Sequence, residues 1–533
     1  MRIIAVMSPK GGIGKTTTSD AIAYMLGEEQ EKRVLILDGD PQGDTSKTFE
    51  AWVRCMTKYG KQQNTAPRIE TYLEILKQDE LLYRTAQQCI RELDEPEDQM
   101  YVVCWAPALV RYVAWVLEEA VRDGHKRLYF LARDAYPMYL VARKLTEKLN
   151  VPVEICYLRV SRYSLRIPEY HLLGEQCLDR IFLSGIDVSL YQILKRAGLK
   201  KEEISRISEE LHCNGILRKN LNPRQITELK QYVLKCCREH KTDLLDTIYV
   251  RSKAAYNSTI GYLKREGLLD PVRYGVVDSG WVGTIQQSLR NILKESQPEI
   301  QITGYYFGLY ALPKDRTGCH YKAYFFEPQG SIRRKAEFSN CLYEVMYSEP
   351  CPMVKGYGNG QYEPVFSEID NPNKDNLRRN HHILERYMEI LVSIARQADI
   401  VQVNANAILE KQILSDGKGI RMVQQLYSTV MATPNAWEAD WYGRQLFSDD
   451  LADDHMRGIA NELSQKEIRN LRICKKLLIM LGLSHQELHE SGWIEGTIVN
   501  AGKHVASNLR AARRAKYLTY LRQSMKARKQ RIK

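Results

Sequence analysis

No stretch of this 533-residue sequence approaches the ~20 consecutive apolar residues that a membrane-spanning helix requires. Apolar runs such as Leu128–Ala132 have the length of a strand. The opening residues MRIIAVMSPKGG hold one short apolar run that leads into a Gly-Lys loop, which is not the pattern of a secretory leader. No two cysteines stand at CxxC spacing. The 12 present are scattered, with Cys236 and Cys237 adjacent, which argues against structural zinc and for reduced thiols in a cytoplasmic protein. There is no internal repeat. Phenylalanine is scarce (9 against 32 tyrosines), but the tyrosines are too dispersed to mark a sugar-stacking platform. Acidic residues are missing from 501–533, which carries eleven Lys and Arg. The net charge of +12 therefore belongs to the tail, and the rest of the chain is close to neutral.

What is present is an ordinary globular composition, 44% hydrophobic and 27% charged, in a chain long enough for two to four domains. The fold class expected is α/β. Residues 1–50 read as a P-loop β-α-β unit and 51–98 as a helical linker with breaks at KQQNTAP and DEPED. In 99–370, the strands RLYFLAR, VPVEICYL, YGVVDSG and ITGYYFGLY alternate with helices. That alternation predicts a parallel, Rossmann-like sheet with a helical insertion at 170–255. Residues 371–533 read as a helical region ending in the basic tail 501–533.

The stretch SPKGGIGKTTT (8–18) carries the first chemistry. A short strand, 3–7, feeds a glycine loop whose N–H groups can converge on phosphate oxygens at a helix start. Gly11, Gly12 and Gly14 shape that loop, with Thr17 at its end. Lys15 would reach the β- and γ-phosphates of ATP, and the Thr16 hydroxyl would ligate Mg²⁺. With VLILDGDPQGDTS downstream, the segment resembles the deviant Walker A ATPases of the ParA/MinD family. The resemblance implies that Lys10 contacts phosphates across an ATP-sandwiched homodimer. It also implies that Asp40 positions the attacking water and Asp38 supports Mg²⁺. The resemblance ends near residue 50. The family's Walker B aspartate has no clear counterpart: Asp134 and Asp278 each follow a strand, and neither has the usual continuation.

The middle region carries LYFLARDAYP, LRVSRYSLRIP and VVDSGWVGTIQQSL in order. Together these resemble predicted HAD-superfamily hydrolases encoded among bacterial surface-polysaccharide and glycosyltransferase genes. The matching positions are Arg133, Asp134, Ser161, Arg162, Asp278, Gly280, Trp281, Gly283, Thr284 and Gln286. The DxDxT nucleophile of that superfamily is absent, so aspartyl-phosphate chemistry is not implied. From the residues alone, Arg133-Asp134 and Asp278 lie where parallel strands end, which is where such sheets bind ligands. Gly283 and Thr284 open a helix, and Arg159, Arg162 and Arg166 follow another strand. These groups could hold a phosphorylated or sugar-nucleotide substrate. The plainer alternative has the aspartates capping helices and Arg162 in a salt bridge.

Other signals are weaker. HQELH (485–489) has its glutamate one position late for a zinc-protease helix, and Ser484 with Glu487 reads as a capping box. SDDLADD (448–454) suits a helix start, and His381 and His382 have no partner pattern. Leu518, Leu521 and Met525 stand at helical spacing in the tail, so 501–533 could bind an anionic membrane surface or nucleic acid. The expected location is cytoplasmic, with peripheral attachment at the inner membrane face as the variant. Three functions stay open: an ATP-binding module fused to an α/β domain of surface-polysaccharide or nucleotide-sugar metabolism, a ParA/MinD-like positioning switch, or an inactive N-terminal fragment beside an active middle domain.

Overall fold

A computed structural model describes residues 66–183, 188–397, 417–447, 457–464, 467–468 and 491–532. The P-loop segment therefore lies outside the described residues, as do SDDLADD and HQELH.

The helices Ile69–Leu76 (α1) and Glu80–Ile90 (α2) come first, and Asp79 caps the second by accepting from the Leu82 N–H. Pro96–Arg122 (α3) follows, with a π turn over Tyr101–Trp105. By length and hydropathy α3 could cross a membrane, so the expectation that no segment comes near such a span needs correcting. However, 89% of its apolar window is buried inside the protein, and it serves as a core helix.

Five strands form one parallel sheet: β1 (Arg127–Leu131), β2 (Glu154–Leu158), β3 (Tyr274–Trp281), β4 (Ile302–Leu309) and β5 (Cys319–Phe326), in the order β2-β1-β3-β4-β5. The first four coincide with the strands expected from alternation. β5 was not foreseen. Its Lys322 and His320 interrupt the apolar run, and the loop 310–318 before it contains no helix to announce a crossover. Successive side chains go to opposite faces. Leu128, Phe130, Val277 and Phe307 join α3 in the main core, while Tyr129, Leu131, Val276 and Ile302 pack on the other face. Burial on both faces explains why these strands read as nearly continuous apolar runs.

Tyr136–Leu149 (α4) links β1 to β2. Arg162–Leu173 (α5), a helical insertion and Leu244–Arg265 (α6) then return the chain past β1 to β3, and Thr284–Leu293 (α7) joins β3 to β4. The insertion has an apolar core of its own, including Leu178, Ile193, Ile207 and Val233. Asn340–Met346 (α8), Lys374–Gln397 (α9) and Gly417–Tyr427 (α10) follow the sheet. Tyr72, Leu76 and Leu82 from α1 and α2 share the main core with Leu384 and Tyr387 of α9. The regions on either side of residues 98/99 and 370/371 thus bury their apolar faces together. The final helix, Val505–Ile532 (α11), docks one side on the body. Tyr520 stacks on Tyr310 at 5.2 Å, the Ser524 hydroxyl accepts from the Gly330 N–H at 2.9 Å, and Lys516 pairs with Glu495 at 2.7 Å.

Candidate functional site

The chain leaves β1 toward β2 on one side and returns to β3 on the other, so β1 and β3 flank the point where connections diverge. In open parallel sheets the crevice at such a point, beyond the carboxyl ends of the strands, is the place for a ligand. The pairing between the two strands ends at Phe130↔Val277. Asp134, three residues past β1, and Asp278, near the end of β3, meet there.

The Ser279 hydroxyl joins them. It donates to Asp134 Oδ2 at 2.9 Å and lies 3.5 Å from Asp278 Oδ1. The Ser279 N–H also donates to Asp278 Oδ1, at 2.9 Å. Asp278 is buried (8% exposed), whereas Asp134 keeps partial access to solvent. Burial pushes the Asp278 carboxyl up to about 8, and the neighbouring Asp134 pushes the same way; hydrogen bonds from Ser279 and the charge of Arg162 pull it back only in part. Asp134 is raised too, by burial, against the opposing charges of Arg133 and Arg162 and the bond from Ser279.

Neither aspartate caps a helix. The residue before α4 is Ala135 and the one before α7 is Gly283, each without a side-chain cap bond. Among the described residues neither Arg133 nor Arg162 has an ion-pair partner, although both charges are felt at Asp134. The plainer reading of these residues does not match the contacts. Arg162 is exposed at the start of α5, where Ser161 caps the helix by accepting from the Ser164 N–H.

The other expected groups have separate duties. Arg159 is engaged by Glu349 at 3.0 Å, and Tyr157 donates to the same carboxylate at 2.7 Å, so Arg159 is not available to an anion. Arg166 is half-buried and reaches the Thr284 hydroxyl at 3.4 Å. Burial lowers its guanidinium to about 10. Gly280 (φ +115°) lets β3 pass close to β4, since a Cβ there would stand 2.5 Å from the Gly308 carbonyl oxygen. Trp281 donates to the Glu344 carboxylate and packs, partly buried, on Phe326 and Phe338 at the edge of the main core. Gly283 (φ +73°) sits against the Tyr321 ring. Gln286 is buried and donates to the carbonyls of Ile302 and His320. Among the described residues no cluster of three or more metal-ligating side chains occurs.

Two neighbours escaped the sequence reading. Ser279 stands between two residues singled out for their own sake, and only the fold shows that it bridges. Tyr343, in NCLYEVM, carries no sequence signal at all. It is fully buried and its hydroxyl has no hydrogen-bond partner among the described residues, yet the charges of both Asp134 and Asp278 act on it. His381, which showed no partner pattern in the sequence, is buried against Tyr136 with ring centroids 5.0 Å apart.

Lys10, Gly11, Gly12, Gly14, Lys15, Thr16, Thr17, Asp38 and Asp40 lie outside the described residues. Comparison with known proteins bears on that segment. Residues 1–92 match a family model described as an AAA domain, so the start of the chain is similar to domains of that kind. The maintenance of carboxysome distribution protein A of Gloeobacter kilaueensis is 40% identical over 68 residues, which is 13% of this chain and 30% of that protein. The match thus spans less than a third of the relative's length. The end of the matched region, residues 66–92, is built into the core of the α/β body through α1 and α2.

Proposed function

We propose that this protein joins an ATP- and Mg²⁺-binding module at its N-terminus to an α/β body that binds a phosphorylated or sugar-nucleotide ligand in the crevice between β1 and β3. In the module, Gly11, Gly12, Gly14, Lys15, Thr16 and Thr17 hold the phosphates, Thr16 and Asp38 attend the metal, and Lys10 and Asp40 serve hydrolysis. The observation that carries the second half is the pair of guanidiniums, Arg133 and Arg162, which lack ion-pair partners among the described residues beside two carboxyls at a strand-end crevice. Work on surface polysaccharide or nucleotide sugars in the cytoplasm belongs to the same proposal, and rests on the middle-region motifs alone. Calorimetry tests both halves: Lys15→Ala abolishes ATP binding, and Arg133→Ala with Arg162→Ala abolishes binding of a uridine diphosphate sugar without affecting ATP. Loss of neither would sink the reading. Measurable ATP affinity that Lys15→Ala removes also disposes of the inactive-fragment alternative.

A second reading is favoured by the relative named for carboxysome distribution. It is an ATP-dependent positioning switch, in which a homodimer forms around ATP and α11 meets an anionic membrane surface or nucleic acid. Lys10→Ala separates the two: loss of ATP-dependent dimerisation supports the switch, and an unchanged oligomeric state counts against it.

A further inference from the structure

We propose that Asp134 and Asp278 hold a single proton between them at neutral pH and present it to an oxygen of the anionic ligand that Arg133 and Arg162 grip. This rests on the anionic-ligand reading of the crevice given above.

The geometry begins with the bridge. One hydroxyl, Ser279 Oγ, lies within reach of a carboxylate oxygen of each aspartate, and the Ser279 N–H occupies Asp278 Oδ1 as well. Two carboxylates bridged by one hydroxyl in a mostly buried place repel each other with little water to screen them, so the pair retains a proton and titrates as a unit. The charged and titratable groups facing Asp278 come from every element around it. Asp134 follows β1, with Arg133 acting on it, Arg162 starts α5, Tyr112 comes from α3, Tyr306 from β4 and Tyr343 from α8. Tyr112 spends its hydroxyl on backbone, 3.0 Å from the Asp278 carbonyl and 2.9 Å from that of Tyr305. Tyr306 donates to Gln286 Oε1 at 2.7 Å. That leaves the Tyr343 hydroxyl, fully buried, as a donor without a partner among the described residues. A buried donor left unmade is costly.

An anion and two ionised carboxylates cannot share this space. With one proton on the pair, a carboxylic O–H becomes a donor to the anion, beside the two guanidiniums. With that proton gone, the crevice repels the ligand.

The test uses the full chain, with sulfate as a tetrahedral oxyanion that has no proton to lose near neutrality. Infrared difference spectra should show a protonated-carboxyl band at pH 7 that fades as the pH rises through about 8. Asp278→Asn removes the band, and Asp134→Asn lowers its midpoint. Ser279→Ala, which keeps both carboxyls, shifts band and midpoint without abolishing either. Sulfate affinity should fall about tenfold between pH 7 and 9 in the native protein, the loss expected when one required proton is removed around pH 8. In Asp278→Asn that dependence should vanish. A band that is missing, that survives Asp278→Asn, or that Mg²⁺ discharges at pH 7 overturns the shared proton. Sulfate failing to bind at any pH while the band behaves as stated supports the pair and overturns the anionic-ligand reading instead.

Discussion

Ser279 Oγ donates to Asp134 Oδ2 across 2.9 Å, joining residues 145 positions apart in the chain. The bond exists because β1 and β3 are neighbours in space although α4, β2, α5, the helical insertion and α6 separate them in sequence. It ties the two carboxyls to one hydroxyl at the strand ends.

A consequence for stability follows from Asp278. Its carboxyl is raised in the folded protein, to about 8 from an ordinary 3.8, so its contribution is fully present below pH 3.8 and is lost as the pH climbs through 8. Chemical denaturation should show stability declining over that window, at no more than about 1.4 kcal/mol per pH unit for one proton. Asp278→Asn should flatten the decline.

His381 acts in the opposite sense. Burial lowers its imidazole to about 4, below the unfolded value near 6.5, so stability is lost as the pH falls from about 6.5 through 4. Replacing His381 with Phe keeps the packing on Tyr136 and removes a buried Nε2 that has no partner among the described residues, along with a hydrogen bond to the Ser348 backbone. Melting temperatures measured between pH 7 and 4 should then vary less than those of the native protein.

Within the AAA-matched region, a half-buried arginine pairs with a buried carboxylate. Arg68 Nε donates to Glu438 Oε1 at 3.1 Å, Tyr72 donates to the same oxygen at 2.8 Å, and Glu438 is fully buried. Arg68→Ala leaves that carboxylate without its cation. We expect a loss of about 3–5 kcal/mol in urea unfolding, the usual cost of breaking such a pair from one side.

Gly280 admits no side chain. At φ +115°, with the Gly308 carbonyl 2.5 Å from where a Cβ would lie, Gly280→Ala must push β3 and β4 apart. The expected outcome is a stability loss of about 1–3 kcal/mol together with weaker sulfate binding. Unchanged affinity would show that the strand end tolerates the shift.

The two sides of α11 should respond differently to mutation. Tyr520 faces Tyr310, so Tyr520→Ala should lower the melting temperature. Leu518 and Met525 are 46% and 49% exposed, so Leu518→Glu with Met525→Glu should leave it unchanged. If this helix meets an anionic membrane, the double variant loses vesicle cosedimentation. Equal sedimentation of both proteins, and of a chain ending at residue 500, would remove the membrane from the second reading.

Much of the crevice could be read before folding, for a definite reason. Parallel strands buried on both faces leave apolar runs that end abruptly in polar residues, so Arg133, Asp134 and Asp278 announced themselves as strand-end groups. Arg159 did so too and was misread, because nothing local reveals that Glu349, 190 positions away, neutralises it. Tyr343 and the bridging role of Ser279 were invisible. A tyrosine in a short helix and a serine in a strand carry no pattern until the partners they face are known.

The sequence by itself determined the alternation that makes β1 to β4 a parallel sheet, the helical character of the insertion and the tail, and the Gly-Lys loop that marks a P-loop module. These follow from local periodicity and short-range turn chemistry. Tertiary structure alone decided that α3, apolar enough to span a membrane, lies in a protein core, that one face of the basic tail is docked, and that two aspartates 144 residues apart share one hydroxyl. Burial and the meeting of charges depend on which surfaces pack together, and packing is a property of the whole chain.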